Sequence, residues 1–113
     1  IITEHYPKCF SLIKNIDMIK CDDISNSFCP NENKSQLNSI KESEGKSGSF
    51  FFITKDKKFI IKTIKESELK TFKNGFMKDY FVFMKENNSN TLISRIYGVF
   101  SVKLSFETTI NII

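Results

Sequence analysis

Residues 44–68 combine a small, glycine-containing loop with a lysine placed in an apolar run. The lysine is Lys62, and the loop consists of Gly45, Lys46, Ser47, Gly48 and Ser49. Backbone N–H groups of such loops approach phosphate oxygens closely, and a lysine ammonium is a compact positive charge. Together they indicate a site for the phosphate groups of a ligand.

Two strand-like runs position this lysine. Phe50 to Thr54 and Phe59 to Ile64 are separated by a charged turn at residues 55–58, which predicts a β-hairpin. Alternate residues share a face of a strand, so we expect Ile60 on the same face as Lys62. A lysine on an edge strand also discourages aggregation, and this interpretation stays open.

A long amphipathic helix is predicted after the hairpin, over residues 66–86. Its apolar positions recur at spacings of three and four: Leu69, Phe72, Phe76, Tyr80 and Phe83. Gly75 interrupts this helix at a cost of about 1 kcal/mol relative to alanine.

The rest of the chain divides into further helices, strands and loops. In chain order they are a helix over residues 6–19, a short helix over 22–28, a loop over 29–36, a weak strand over 37–43, a strand over 92–104 and a strand over 108–113. Gly98 predicts a bulge or a close backbone approach in its strand. We expect an α+β fold, an antiparallel sheet with a helix packed on one face.

Composition sets wider limits on function. A chain of 113 residues with 40% hydrophobic residues and twelve Phe can form one domain with its own core. The formal charge of +4 permits contact with an anionic membrane or a nucleotide. Three cysteines and one histidine give no metal-site spacing and fit a reduced, cytosolic protein. The chain starts without Met and stops within an apolar run, so we expect a fragment.

Two known kinds of phosphate site, the P-loop and the glycine loop of kinases, share features with this pattern. Gly45-Lys46-Ser47 matches the end of a P-loop, but Ile40 stands where the first glycine is required and a strand follows in place of a helix. We therefore reject the P-loop. In kinases the glycine loop lies between two strands and the lysine is on the third, an order that this chain shares. Ile60 would then pack on the adenine.

A kinase lysine also requires a carboxylate from the following helix. Glu68 shares a helix row with Phe72 and can face inward, whereas Glu66 lies on a row with Lys70 and Lys73 and is expected to be solvated. Glu68 is therefore the candidate. The alternative is an ordinary first-turn glutamate favoured by the helix dipole.

At these residues the sequence resembles the phosphatidylinositol phosphate kinase family and is similar to its phosphatidylinositol-4-phosphate 5-kinases. The matching positions are residues 45–52 and 58–63, Glu68, Phe72 and residues 80–81 in the following helix, residues 90–93 and 97–100, and, upstream, residues 6–10, 13–14, 19, 23 and 27–28. Gly45 and Gly48 do not complete the G-x-G-x-x-G of protein kinases, a departure that is itself typical of this family.

The resemblance implies a lipid kinase that transfers the ATP γ-phosphate, with Mg²⁺, to the inositol ring of a phosphatidylinositol phosphate. Phosphatidylinositol 4-phosphate is the expected substrate and the 4,5-bisphosphate the expected product. By the same resemblance Lys62 and residues 45–49 bind phosphate, Ile60 contacts the nucleotide, and Glu68 supports Lys62.

The resemblance places the catalytic and metal-binding aspartates in a second lobe that this chain lacks. Residues 1–113 are then an amino-terminal lobe, with helices and a loop in residues 1–36 and the sheet and helix in residues 37–113. Alone it is expected to be inactive. The implied partners are ATP, a phosphoinositide at the cytosolic face of a membrane, and a second copy of the chain, but no nucleic acid. The alternative function is a non-catalytic basic module that binds membranes on a kinase-like scaffold.

Overall fold

The computed structural model describes residues 1–38, 49–87 and 90–113. These form two compact units, one of residues 1–19 with 64–113 and one of residues 20–63. The helices are α1 (Pro7–Ile16), α2 (Cys21–Ser27), α3 (Lys34–Asn38), α4 (Glu66–Thr71) and α5 (Met77–Asn87), with a π-helical turn, Phe72–Phe76, between the last two. The strands are β1 (Ile2–His5), β2 (Phe51–Ile53), β3 (Ile60–Ile64), β4 (Val99–Lys103) and β5 (Thr109–Ile112). No described helix is long and apolar enough to cross a membrane.

In the first unit, β4 pairs antiparallel with β1 on one side and β5 on the other. Ser101 lies opposite Thr3 in β1 and opposite Asn111 in β5. A single core joins this sheet to the helices, and its buried side chains are Phe10, Ile13, Leu69, Phe72, Met77, Tyr80, Met84 and Val99. The predicted α+β class, with an antiparallel sheet and a packed helix, is confirmed.

The long helix forms as predicted but changes its buried face at Gly75. Gly75 has a φ of 113°, which lies outside the helical region. The turn inserts one residue, so the buried positions pass from Phe72 to Met77, five residues later, instead of to Phe76. Phe76 is 42% exposed and packs its ring against those of its helical neighbours. The predicted burial of Phe76 is therefore wrong, because an i to i+5 turn rotates the stripe.

Residues 92–98 do not form the predicted strand, which is confined to Val99–Lys103. The backbone of this stretch forms hydrogen bonds with side chains and not with a neighbouring strand. Arg95 Nη1 donates to the carbonyls of Thr91 and Ile93, at 3.0 and 2.9 Å, and Tyr80 Oη donates to that of Ser94 at 3.1 Å. Gly98 precedes the strand, and a Cβ there would lie 2.6 Å from the Phe100 ring, so the close approach is to a side chain and not, as predicted, to backbone.

A carboxylate from α1's end holds the same stretch in place. Asp17 Oδ2 accepts hydrogen bonds from Arg95 Nε at 3.2 Å and from the Tyr97 hydroxyl at 2.8 Å. Burial, followed by this bond to Asp17, raises the pKa of Tyr97 above its usual range. Arg95 and Tyr97 thus tie the segment before β4 to the first helix.

A chain of polar side chains crosses the face of the sheet that carries buried Val99. Asn111, itself buried, donates from Nδ2 to Glu66 Oε2 at 3.0 Å and accepts from Ser101 Oγ at 2.6 Å. His5 Nε2 lies 2.8 Å from the same Ser101 oxygen. Because Ser101 uses its only hydrogen on Asn111, His5 Nε2 must be the donor.

The second unit contains the predicted hairpin, β2 paired antiparallel with β3. Its register places Phe51 opposite Lys62, Phe52 opposite Ile61 and Ile53 opposite Ile60. The short helix predicted over residues 22–28 is confirmed as α2. The weak strand predicted over 37–43 is wrong at its described start, because residues 37 and 38 end α3, and residues 39–43 lie outside the described ranges.

Replacing Gly75 with alanine tests the turn. The added Cβ meets no atom within 4 Å, so the effect is one of backbone conformation alone. Helix propensity by itself predicts a gain of about 1 kcal/mol. We expect a loss of about 1–2 kcal/mol in the free energy of unfolding by urea, because alanine disfavours a positive φ. Lys78→Ala, at an exposed helical position, should change it by less than about 0.5 kcal/mol. A Gly75→Ala chain that is more stable than the original would contradict the positive φ at residue 75.

His5 should make the first unit sensitive to acid. Burial and the charge of Lys73 lower the pKa of His5 below its ordinary value of 6.5, and Glu66 opposes them only in part. The unfolded chain then binds a proton at higher pH than the folded one. The free energy of unfolding should fall as pH drops below about 6.5, and it should recover as pH rises. His5→Gln keeps a donor to Ser101 and should flatten this slope between about pH 7 and pH 5. An unchanged slope would show that His5 does not cause the acid sensitivity.

Candidate functional site

The β2–β3 hairpin has two unlike faces, because side chains alternate along each strand. On one face Phe52 and Phe59 pack against Phe28, with ring centroids 6.5 and 5.7 Å apart respectively. This face joins the hairpin to the residue that ends α2. The sequence pattern alone gave no sign that Phe28 is the partner.

The other face of the hairpin is open and carries Lys62. Lys62 is exposed and pairs with Phe51, and Ile60, 61% exposed, pairs with Ile53. Directly paired residues share a face, so the apolar side chains of Phe51, Ile53 and Ile60 lie on the same face as Lys62. Such a face can pack on a flat apolar ring while its cation binds an anion. The structure thus places Ile60 and Lys62 together, as the alternation predicts.

The predicted phosphate loop meets this hairpin at its described end. Gly45, Lys46, Ser47 and Gly48 lie outside the described residues, whereas Ser49 is described and buried. Phe50, the next residue, donates its backbone N–H to Thr63 Oγ1 at 2.9 Å and accepts the N–H of Thr63 at 2.9 Å. Phe50 thus pairs with Thr63, the residue that directly follows Lys62.

Glu68 caps its own helix. Its Oε2 accepts the backbone N–H of Lys65 at 2.6 Å, which satisfies one of the free donors at the start of α4. This is the role of the ordinary first-turn glutamate that the sequence left open. Lys62 belongs to the unit of residues 20–63, whereas Glu68 belongs to the other.

Glu66 does more than the helix pattern predicts. It is exposed, as expected, yet its carboxylate accepts the amide of buried Asn111. A polar residue within the apolar run of residues 110–113 was the available signal for this contact.

The described residues contain no cluster of side chains that would by itself enclose the Mg²⁺ that the resemblance implies. Hard cations of this kind require several oxygen ligands. Within residues 1–38, 49–87 and 90–113, no three His, Cys, Asp or Glu side chains come together as a metal site.

Comparison of the sequence with known proteins identifies a family. The sequence profile described as Phosphatidylinositol-4-phosphate 5-Kinase matches residues 31–113. Phosphatidylinositol 4-phosphate 5-kinase its3 of Schizosaccharomyces pombe is 50% identical over 72 residues, covering 64% of this chain and 9% of its own length. Phosphatidylinositol 4-phosphate 5-kinase 9 of Arabidopsis thaliana is 33% identical over 102 residues, covering 90% of this chain and 12% of its own length.

A probable phosphatidylinositol phosphate kinase of Dictyostelium discoideum is 34% identical over 102 residues, covering 88% of this chain and 14% of its own length. The chain thus spans 9–14% of the length of these relatives. The profile match covers most of the chain and includes the whole hairpin. The chain belongs to the phosphatidylinositol-4-phosphate 5-kinase family.

Proposed function

We propose that this chain is the ATP-binding, amino-terminal lobe of a lipid kinase. The parent protein transfers the γ-phosphate of ATP to the inositol ring of phosphatidylinositol 4-phosphate and forms the 4,5-bisphosphate. The observation that carries this proposal is the open face of the hairpin, where Lys62 stands among Phe51, Ile53 and Ile60. Family membership supplies the reaction class.

Each group on this face has a role in the proposal. The apolar side chains of Ile60 and Ile53 pack on the adenine, and the Lys62 ammonium binds the phosphates. Phosphoryl transfer needs positioning and charge neutralisation more than covalent chemistry, so one well-placed cation has a large effect. Residues 45–49 bind the phosphates together with Lys62.

Glu68 remains the proposed carboxylate partner of Lys62. Its bond to Lys65 engages Oε2, and a carboxylate offers a second oxygen to an ammonium group. We place the catalytic base and the Mg²⁺ ligands in the rest of the parent protein. We also propose that it acts at the cytosolic face of membranes, where its lipid substrate lies, and that it can dimerise.

A non-catalytic, basic membrane-binding module is the competing function. The turn of the hairpin favours it, since Lys55, Lys57 and Lys58 are all exposed there. The two functions differ in what Lys62 does. A catalytic lobe needs this particular lysine for turnover, whereas a membrane module needs only the sum of its charges.

Lys62→Ala in the intact parent protein should lower lipid phosphorylation at saturating ATP by roughly 10²–10³-fold or more, because phosphate charge is no longer neutralised. The side chain is exposed, so the free energy of unfolding should change by no more than about 1 kcal/mol. Lys62→Arg should not restore activity, since a planar guanidinium does not replace a compact ammonium. Lys58→Ala, in the turn, is the matched control and should be nearly silent. Close to normal turnover with Lys62→Ala would leave Lys62 as an edge-strand charge.

The chain of residues 1–113 should not phosphorylate any phosphoinositide by itself. Stabilising the transferred phosphoryl group requires metal-binding carboxylates, and we place these elsewhere in the parent protein. The assay is transfer of labelled phosphate from ATP to phosphatidylinositol 4-phosphate in vesicles, with the intact parent as the positive control. Detectable lipid phosphorylation by the chain would overturn the assignment as one lobe.

A further inference from the structure

The turn that joins β2 to β3 is tight and contains a strained residue. Lys57 donates its N–H to the carbonyl of Thr54 at 2.8 Å, and Thr54 and Phe59 bond at the base of the turn. Lys57 itself has a φ of 59°, a left-handed conformation that glycine or asparagine usually occupies. The conformational preference of Lys57 does not favour this turn, so other contacts must stabilise it.

Asp56 supplies the first constraint. Its Oδ1 accepts the Thr54 hydroxyl at 2.6 Å and the Lys58 N–H at 3.1 Å, and its Oδ2 accepts the Ser27 hydroxyl at 2.6 Å. Both hydroxyl groups belong to buried residues, Thr54 being only 1% exposed. The bonds from Ser27 and Thr54 hold the pKa of Asp56 below its ordinary value, so the carboxylate stays ionised. One side chain thus joins the turn to α2.

Asn33 supplies the second constraint from a buried position, with 2% of its surface exposed. Its Nδ2 donates to the carbonyls of Ser27 and Cys29 at 2.8 and 2.7 Å, and its Oδ1 accepts the Lys55 N–H at 2.9 Å. The turn is therefore held at Lys55 and at Asp56, the two residues that precede Lys57.

The geometry of a hairpin turn sets the register of its strands, and a slip of one residue exchanges the two faces. In the observed register Lys62 lies opposite Phe51 on the open face. A slip would turn Lys62 toward the face that packs on Phe28. We propose that Asp56, assisted by Asn33, is a positioning residue that keeps the Lys62 ammonium on the open face. This inference rests on the nucleotide role proposed above for Lys62.

The test uses steady-state kinetics of the intact parent enzyme on phosphatidylinositol 4-phosphate vesicles. Asp56→Ala should reduce kcat/KM for ATP by about 10²-fold, through a higher KM for ATP, a lower kcat or both. This is the loss expected for a misplacement of about 1 Å. The KM for the lipid should not change. Asp56→Asn should restore most of the activity, because its carbonyl accepts from Thr54 and Lys58 and its amide donates to the Ser27 oxygen.

Matched variants separate positioning from stability. Asp22→Ala removes an exposed carboxylate of the same unit and should leave both KM values unchanged. Ser27→Ala deletes only the bond to Asp56 Oδ2 and should raise the KM for ATP to a smaller degree. It also provides the test if Asp56→Ala does not fold.

Two results would overturn the inference. One is an Asp56→Ala enzyme that melts at a lower temperature but keeps its kcat and its KM for ATP per folded molecule. The other is an Asp56→Asn enzyme as impaired as Asp56→Ala. If Lys62→Ala is inactive in either case, the proposed nucleotide site survives and only the positioning role fails. If Lys62→Ala is active, the proposed site itself fails.

Discussion

The alternation of side chains along β3 is the constraint on which the candidate site depends. The strand must present Lys62 to solvent while Ile61 takes the opposite face, where Phe28 packs against the neighbouring rings. Burial of aromatic rings and exposure of a cation are both favourable, and one register satisfies them together. Aromatic packing in the second unit and exposure of Lys62 on the open face therefore have the same origin.

The features that local periodicity encodes were predictable from the sequence. The hairpin, the long helix and the α+β class follow from patterns within about twenty residues. β1 was missed because its partner, β4, lies almost a hundred residues away and its own four residues are mostly exposed. Residues 92–98 were wrongly predicted as a strand. The side chains of Arg95 and Tyr80 form hydrogen bonds to backbone carbonyls that, in a strand, would pair with a neighbouring strand.

The candidate site was predictable to a similar, limited degree. Placing Ile60 with Lys62 required only a period of two. The contacts of Glu66 and Asp56 did not follow from their local sequence, because their partners lie 45 and 29 positions away. Side-chain bonds over such distances depend on tertiary packing, and short-range patterns carry no record of them.

The π-helical turn between α4 and α5 has a consequence for comparing relatives by sequence. It places one extra residue between buried Phe72 and buried Met77. A relative without that residue could bury equivalent side chains in a regular helix, at spacings of three and four. Aligning two such chains requires a gap of one residue inside the helix. Without the gap, exposed Phe76 would be aligned with a core position of the relative. Every residue of α5 would then be aligned one position away from its structural equivalent.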